Sequence, residues 1–162
     1  MINCYGSYTR YPFNYLRLTT ENLEEQEKDA EEMFEKQNYI QACEKYYKIS
    51  EEIVKALSKH YAQATMQEVS KRIIKGRTPW TVYLLNEAVN EIIINTNLRD
   101  TNFENIFRDG WRAAVTLHRE CFHDFELTPL DISHEVRKIK GMIKIAKEIL
   151  RRLESHNDTT GP

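Results

Sequence analysis

From Ile132 to Leu153 the apolar residues step alternately by four and three, through Val136, Ile139, Ile143, Ala146 and Leu150. That rhythm stacks them on one stripe of a helix and is incompatible with the two-residue period of a strand. The same step recurs earlier along the chain. One stripe is Cys43, Tyr46/Tyr47, Ser50, Ile53/Val54, Leu57 and Tyr61; another is Trp80, Leu84/Leu85, Ala88/Val89 and Ile92. A third, the most aromatic, is Phe103, Phe107, Trp111, Ala114, His118, Phe122 and Phe125. A narrower one, Leu23, Ala30, Met33 and Phe34, runs through a strongly acidic segment. Five stripes predict an all-α chain, an antiparallel bundle of about five helices. Glycine and proline together number 9 of 162 residues, so turns are scarce and the regular elements long. Globular chains use roughly 12% of the two combined.

Local punctuation places the breaks. Asn38 interrupts the first two stripes and predicts a tight helical hairpin. Gly76 suits the left-handed residue that ends a helix. Thr78-Pro79 and Thr128-Pro129 each read as an N-cap followed by proline at the first helical position, and Thr101 with Glu104 has capping-box spacing. Residues 1–19 read as an aromatic arm, carrying Tyr5, Tyr8, Tyr11, Phe13 and Tyr15; 20–154 as a single bundle domain; and 155–162 as a polar tail. No apolar run approaches the ~20 residues of a membrane span. Three cysteines, Cys4, Cys43 and Cys121, cannot all pair with one another and follow no secretory leader, so the expectation is a reducing cytoplasm, with Cys43 as core packing.

Charge is nearly balanced, at −2 overall, which argues against a protein that coats nucleic acid through bulk charge. Its distribution is uneven. Glu21 to Lys36 holds eight acidic residues against two basic, and Leu130 to Glu154 seven basic against four acidic. On the last helix Arg137, Lys140, Lys144, Lys147 and Arg151 line one ridge. A solvated face that answers the acidic first helix, in the same or a neighbouring subunit, is the leading account; a phosphate-tracking ridge is the alternative.

Reactive side chains are densest between Trp111 and Asp124. Arg112 and His118 have the residue types for metal-free RNA cleavage, the imidazole moving a proton and the guanidinium holding phosphate. A straight helix turns about 100° per residue, leaving the two roughly 120° apart, so they converge only across a helix break or a second subunit. His118 also belongs to the aromatic stripe, where a core histidine is the commoner finding. His118, Cys121, His123 and Asp124 offer a partial metal or small-anion set, but no second Cys/His pair completes a zinc site. No glycine-rich phosphate loop is present, and neither a cofactor nor a metal is expected.

Two stretches carry a family resemblance. Ala30 to Lys48, with Tyr39-Ile40-Gln41-Ala42-Cys43-Glu44-Lys45, resembles the hairpin that opens the archaeal PaREP family. Gly110-Trp111-Arg112-Ala113-Ala114 through Leu117-His118 and Phe122-His123-Asp124 is similar to a later segment of it, with Asp124 where glutamate is usual. Gly76-Arg77 and Trp80 with Leu84-Leu85 resemble the link between them, so the likeness spans about Leu23 to Leu153. The hairpin also resembles one tetratricopeptide unit, but a single unit builds no solenoid. The PaREP resemblance implies a HEPN-like, nucleotidyltransferase-associated helical bundle that pairs as a dimer. Many such bundles are ribonucleases with an Arg-x(4–6)-His motif, into which Arg112 and His118 fall, although Ala113 stands where a polar residue commonly follows the arginine. The expectation is a non-catalytic homodimer serving as an interaction or nucleic-acid-associated accessory module, with a protein or RNA partner. Trp111, His118, His123 and Asp124 are its candidate ligand contacts. The alternative is a metal-independent ribonuclease using Arg112 and His118.

Overall fold

A computed structural model describes residues 18–96, 101–123 and 127–158. Residues 1–17 of the aromatic arm, Asp124, Phe125 and the side chains of Thr101, Phe122 and His123 lie outside the described residues. Among the described residues six helices follow in order: α1 (Thr20–Glu35), α2 (Tyr39–Tyr61), α3 (Gln63–Ile74), α4 (Val82–Asn95), α5 (Thr101–His123) and α6 (Pro129–Asp158). There is no strand among the described residues, and the Ile92-Ile93-Ile94 run lies in helix. No helix is long and apolar enough to cross a membrane.

α2 is the hub, packing against all five other helices. Its sequence explains why. Ala42, Cys43, Tyr46, Ile49, Ile53, Val54 and Leu57 are all buried, a stripe wide enough to meet neighbours on several sides. α5 and α6 form the most extensive pair, and Gly110 lets them approach closely, since a Cβ there would lie 2.4 Å from the Cβ of Met142. The basic ridge of α6 meets the acidic α1 within the chain: Lys147 pairs with Glu27 at 2.8 Å, Lys140 with Glu31, and Glu154 accepts from Thr20. Arg137, Lys144 and Arg151 of that ridge remain exposed.

Two helix ends share one motif with different residues. After α3, Gly76 takes φ 64°, its N–H donates to Ile73 O and that of Arg77 to Arg72 O. After α1, Gln37 takes φ 59°, with the same pair of bonds to Phe34 O and Met33 O. Glycine alone adopts that conformation without a Cβ penalty. Gln37→Gly is therefore expected to stabilise the fold by about 0.5–1 kcal/mol and Gly76→Ala to destabilise it by a similar amount, both measurable by urea titration.

Among the described residues six helices stand where about five were expected, because of α3. Its buried residues are only Thr65 and Val69, too thin a stripe to read from periodicity, and Ala62 at its start offers no side-chain cap. The cap comes from α4 instead: Glu91 accepts from the N–H groups of Ala64 (3.1 Å) and Thr65 (2.9 Å) and from the Thr65 hydroxyl (2.5 Å). Asn95 donates to Tyr61 O at 2.8 Å, so α4 clamps both sides of the α2–α3 bend. Glu91→Ala should cost about 1–2 kcal/mol by chemical denaturation, since it strips a carboxylate from a helix N-terminus.

The start of α4 also differs from the expectation. Thr81, extended at φ −122° and ψ 163°, is the N-cap, accepting from Leu84 N at 3.2 Å. Thr78-Pro79 stays in the loop, where Thr78 O accepts from Arg72 Nε at 2.8 Å while Trp80 is buried. The Thr128-Pro129 cap forms as expected, with Asp131 reciprocating: Thr128 N and Oγ1 donate to its carboxylate at 2.8 and 2.7 Å, and Asp131 N donates to Thr128 Oγ1 at 3.2 Å. Those hydrogen bonds from Thr128 hold the Asp131 carboxyl below its usual pKa. A depressed folded-state value contributes stability above the ordinary carboxylate pKa and loses it as pH falls through the folded one. Thr128→Ala should raise the Asp131 pKa toward its ordinary value, read by NMR titration of the side-chain carboxyl. α6 continues past Glu154 to Asp158.

Candidate functional site

α5 presents its candidate residues to two neighbours. Trp111 and His118 are seven residues apart, two turns along one face, and that face meets Tyr47 of α2. The His118 ring stacks on Tyr47 with centroids 4.1 Å apart and planes at 19°, and Tyr47 in turn lies 6.2 Å from the Trp111 ring. Trp111 is buried, at 3% exposure, and His118 half-buried. His118 thus belongs to an aromatic stack that ties α5 to α2.

Arg112 takes a different direction. It is exposed and lines a groove of about 540 Å³ between α4 and α5, with Asn86, Asn90, Arg108, Trp111 and Thr116. His118 is not part of that lining. The two halves of the expected motif therefore open on different neighbours within one chain. Among the described residues Arg112 makes no hydrogen bond or ion pair.

Two contacts set the groove's chemistry. The indole Nε1 of Trp111 donates to Asn86 Oδ1 at 2.7 Å, and Arg108 Nη1 donates to Asn90 Oδ1 at 2.7 Å. Arg108 Nη2 reaches Glu104 at 3.3 Å. Sequence reasoning missed both asparagines. Their signal was two asparagines one turn apart beside the apolar stripe of one helix.

Cys43 and Cys121 form a disulfide joining α2 to α5, with Cα atoms 6.5 Å apart. This corrects the reading of Cys43 as core packing alone, since it is both buried and bonded. It also removes Cys121 from any metal or anion set with His118, because a disulfide sulfur is not a thiolate ligand. The pairing was out of reach from spacing, the two being 78 residues apart. Cys121 additionally lines a cavity of about 290 Å³ with Gln37, Asn38, Tyr39, Leu127 and Ile132, among others. Among the described residues no group of three or more His, Cys, Asp or Glu side chains is placed to hold a metal.

The architecture and site define a class: an all-helical bundle with a central hub helix and an arginine–asparagine groove on one flank. A family model, the archaeal PaREP1/PaREP8 family, matches residues 18–143. The chain belongs to that family. No curated protein and no solved structure matches it.

Proposed function

We propose that this protein is a non-catalytic, homodimeric interaction module with a nucleic-acid-associated accessory role. The observation that carries the reading is the outer face of α4. This helix is apolar for most of its length, yet Val82, Tyr83 and Ile94 are 48, 69 and 75% exposed. Three of the seven large apolar side chains that stand exposed among the described residues lie on this one helix, which favours a covered surface, and a second copy is the simplest cover. The cytoplasm fits such a role. Sedimentation or light scattering should give twice the chain mass, and Tyr83→Glu/Ile94→Glu should give a monomer with unchanged helical circular dichroism. A strict monomer at high concentration removes the dimer.

A second reading, a metal-independent ribonuclease, is favoured by the exposed Arg112. It needs His118 of one protomer to meet a guanidinium from the other. Structured RNA incubated in EDTA with the native chain and with His118→Ala decides it. Cleavage lost in the variant supports the nuclease, while equal cleavage or none rejects it.

A further inference from the structure

We infer that the α4–α5 groove is a binding site for a phosphate ester, held by Arg108, Arg112, Asn86 and Asn90. The inference begins with which way the two amides face. An indole N–H and a guanidinium donate hydrogen bonds and never accept them. The atom of Asn86 that meets Trp111 Nε1, and the atom of Asn90 that meets Arg108 Nη1, must therefore be the carbonyl oxygens, each at 2.7 Å. Each amide oxygen is thereby turned toward a donor inside the protein. What remains of each is an NH2 group, for which no acceptor exists among the described residues.

Both walls of the groove consequently end in donors. Asn86 and Asn90 lie one turn apart on α4, and Arg108 and Arg112 one turn apart on α5, which runs antiparallel so that 86 faces 111 and 90 faces 108. Glu104 takes part of the charge of Arg108, leaving Arg112 as the groove's exposed cation, without an ion pair among the described residues. A ligand here must be anionic and rich in acceptors. Donors arriving from two opposed helices suit the three-dimensional array of phosphate oxygens better than the planar pair of a carboxylate, and two guanidiniums suit phosphate geometry in particular. The groove, at about 540 Å³, has room for a nucleotide. The binding chemistry does not depend on the dimer, although Asn90 shares the face of α4 that carries Tyr83 and Ile94. Only its extension to a phosphodiester strand rests on the nucleic-acid reading above.

The test uses the full chain, labelled with 15N, and follows the Trp111 indole resonance, with the Trp80 indole as internal control. Inorganic phosphate, adenosine monophosphate, a short single-stranded RNA and acetate are titrated separately at fixed ionic strength. Saturable movement of the Trp111 signal with phosphate or the nucleotide is expected. Asn86→Asp/Asn90→Asp is the decisive variant. It keeps the oxygens that accept from Trp111 and Arg108, so the fold should persist by circular dichroism, but it replaces both outward donors with anionic oxygen. Binding should weaken at least tenfold, and Arg112→Gln should weaken it by a similar factor. Silence of the Trp111 resonance with phosphate and nucleotide, acetate binding as tightly as phosphate, or undiminished binding by the folded double variant overturns the assignment. Phosphate and nucleotide binding without RNA binding upholds the site and defeats the nucleic-acid reading.

Discussion

Gly110→Ala is expected to lose about 2 kcal/mol of stability, while the same change at Gly141, on the facing helix, stays within about 1 kcal/mol of the native chain. The difference lies in what each new Cβ would meet. At Gly110 it falls 2.4 Å from Met142 Cβ and 3.0 Å from the carbonyl oxygen of Lys138. Both atoms are fixed to the backbone of α6, so neither can rotate away and the helices must separate. At Gly141 the neighbour is the Cγ2 methyl of Ile106 at 3.1 Å, on a side chain that is 38% exposed and free to turn outward. Replacing glycine by alanine inside a helix also gains about 1 kcal/mol of intrinsic propensity, which partly offsets the clash at Gly110 and can make Gly141→Ala neutral or stabilising. Thermal unfolding followed by circular dichroism should show the Gly110 variant melting roughly 4–8 °C lower. Equal melting temperatures for both variants would mean that α5 and α6 do not cross closely at Gly110.

The stripes that made this fold legible are those whose helices bury a broad face. α2, α5 and α6 announce themselves because a wide apolar face repeats for many turns, and Gly76 because a positive φ leaves glycine as the cheapest choice. α3 stayed hidden because its stabilisation is tertiary: Glu91 supplies the cap from another helix, and only Thr65 and Val69 are buried. Local sequence favours Thr78 as the cap because proline follows it, but Trp80 is buried ahead of the helix and Thr81 takes the cap. The groove was half legible. Arg112 is legible as the guanidinium of an Arg-x5-His pair with His118, but its companions in the groove are the asparagines of a different helix, and the register of α4 against α5 is not written in either segment. His118 was legible as a member of an aromatic stripe, and its stacking on Tyr47 follows from that membership.

Reducing the Cys43–Cys121 bond should lower stability by about 2–4 kcal/mol and the melting temperature by roughly 5–15 °C. The bond joins positions 78 residues apart, and both cysteines are buried, at 0 and 5% exposure. A cross-link over so long a loop removes many conformations from the unfolded chain, and in the chain-entropy account its stabilising effect grows with loop length. Under denaturing, non-reducing conditions alkylation should find one free thiol, that of Cys4, and after dithiothreitol three. Cys43→Ala/Cys121→Ala should melt near the reduced native chain and show no further response to the reductant. Three free thiols in the purified chain would overturn the pairing. The result also bears on compartment. Cysteine usage argued for a reducing cytoplasm only while Cys43 and Cys121 were taken as separate, and once they are joined that argument lapses. Buried disulfides do persist inside the cells of hyperthermophilic archaea, where the cross-link adds to stability at high temperature. Trapping thiols with an alkylating agent at the moment of lysis would read the state of the bond inside the cell.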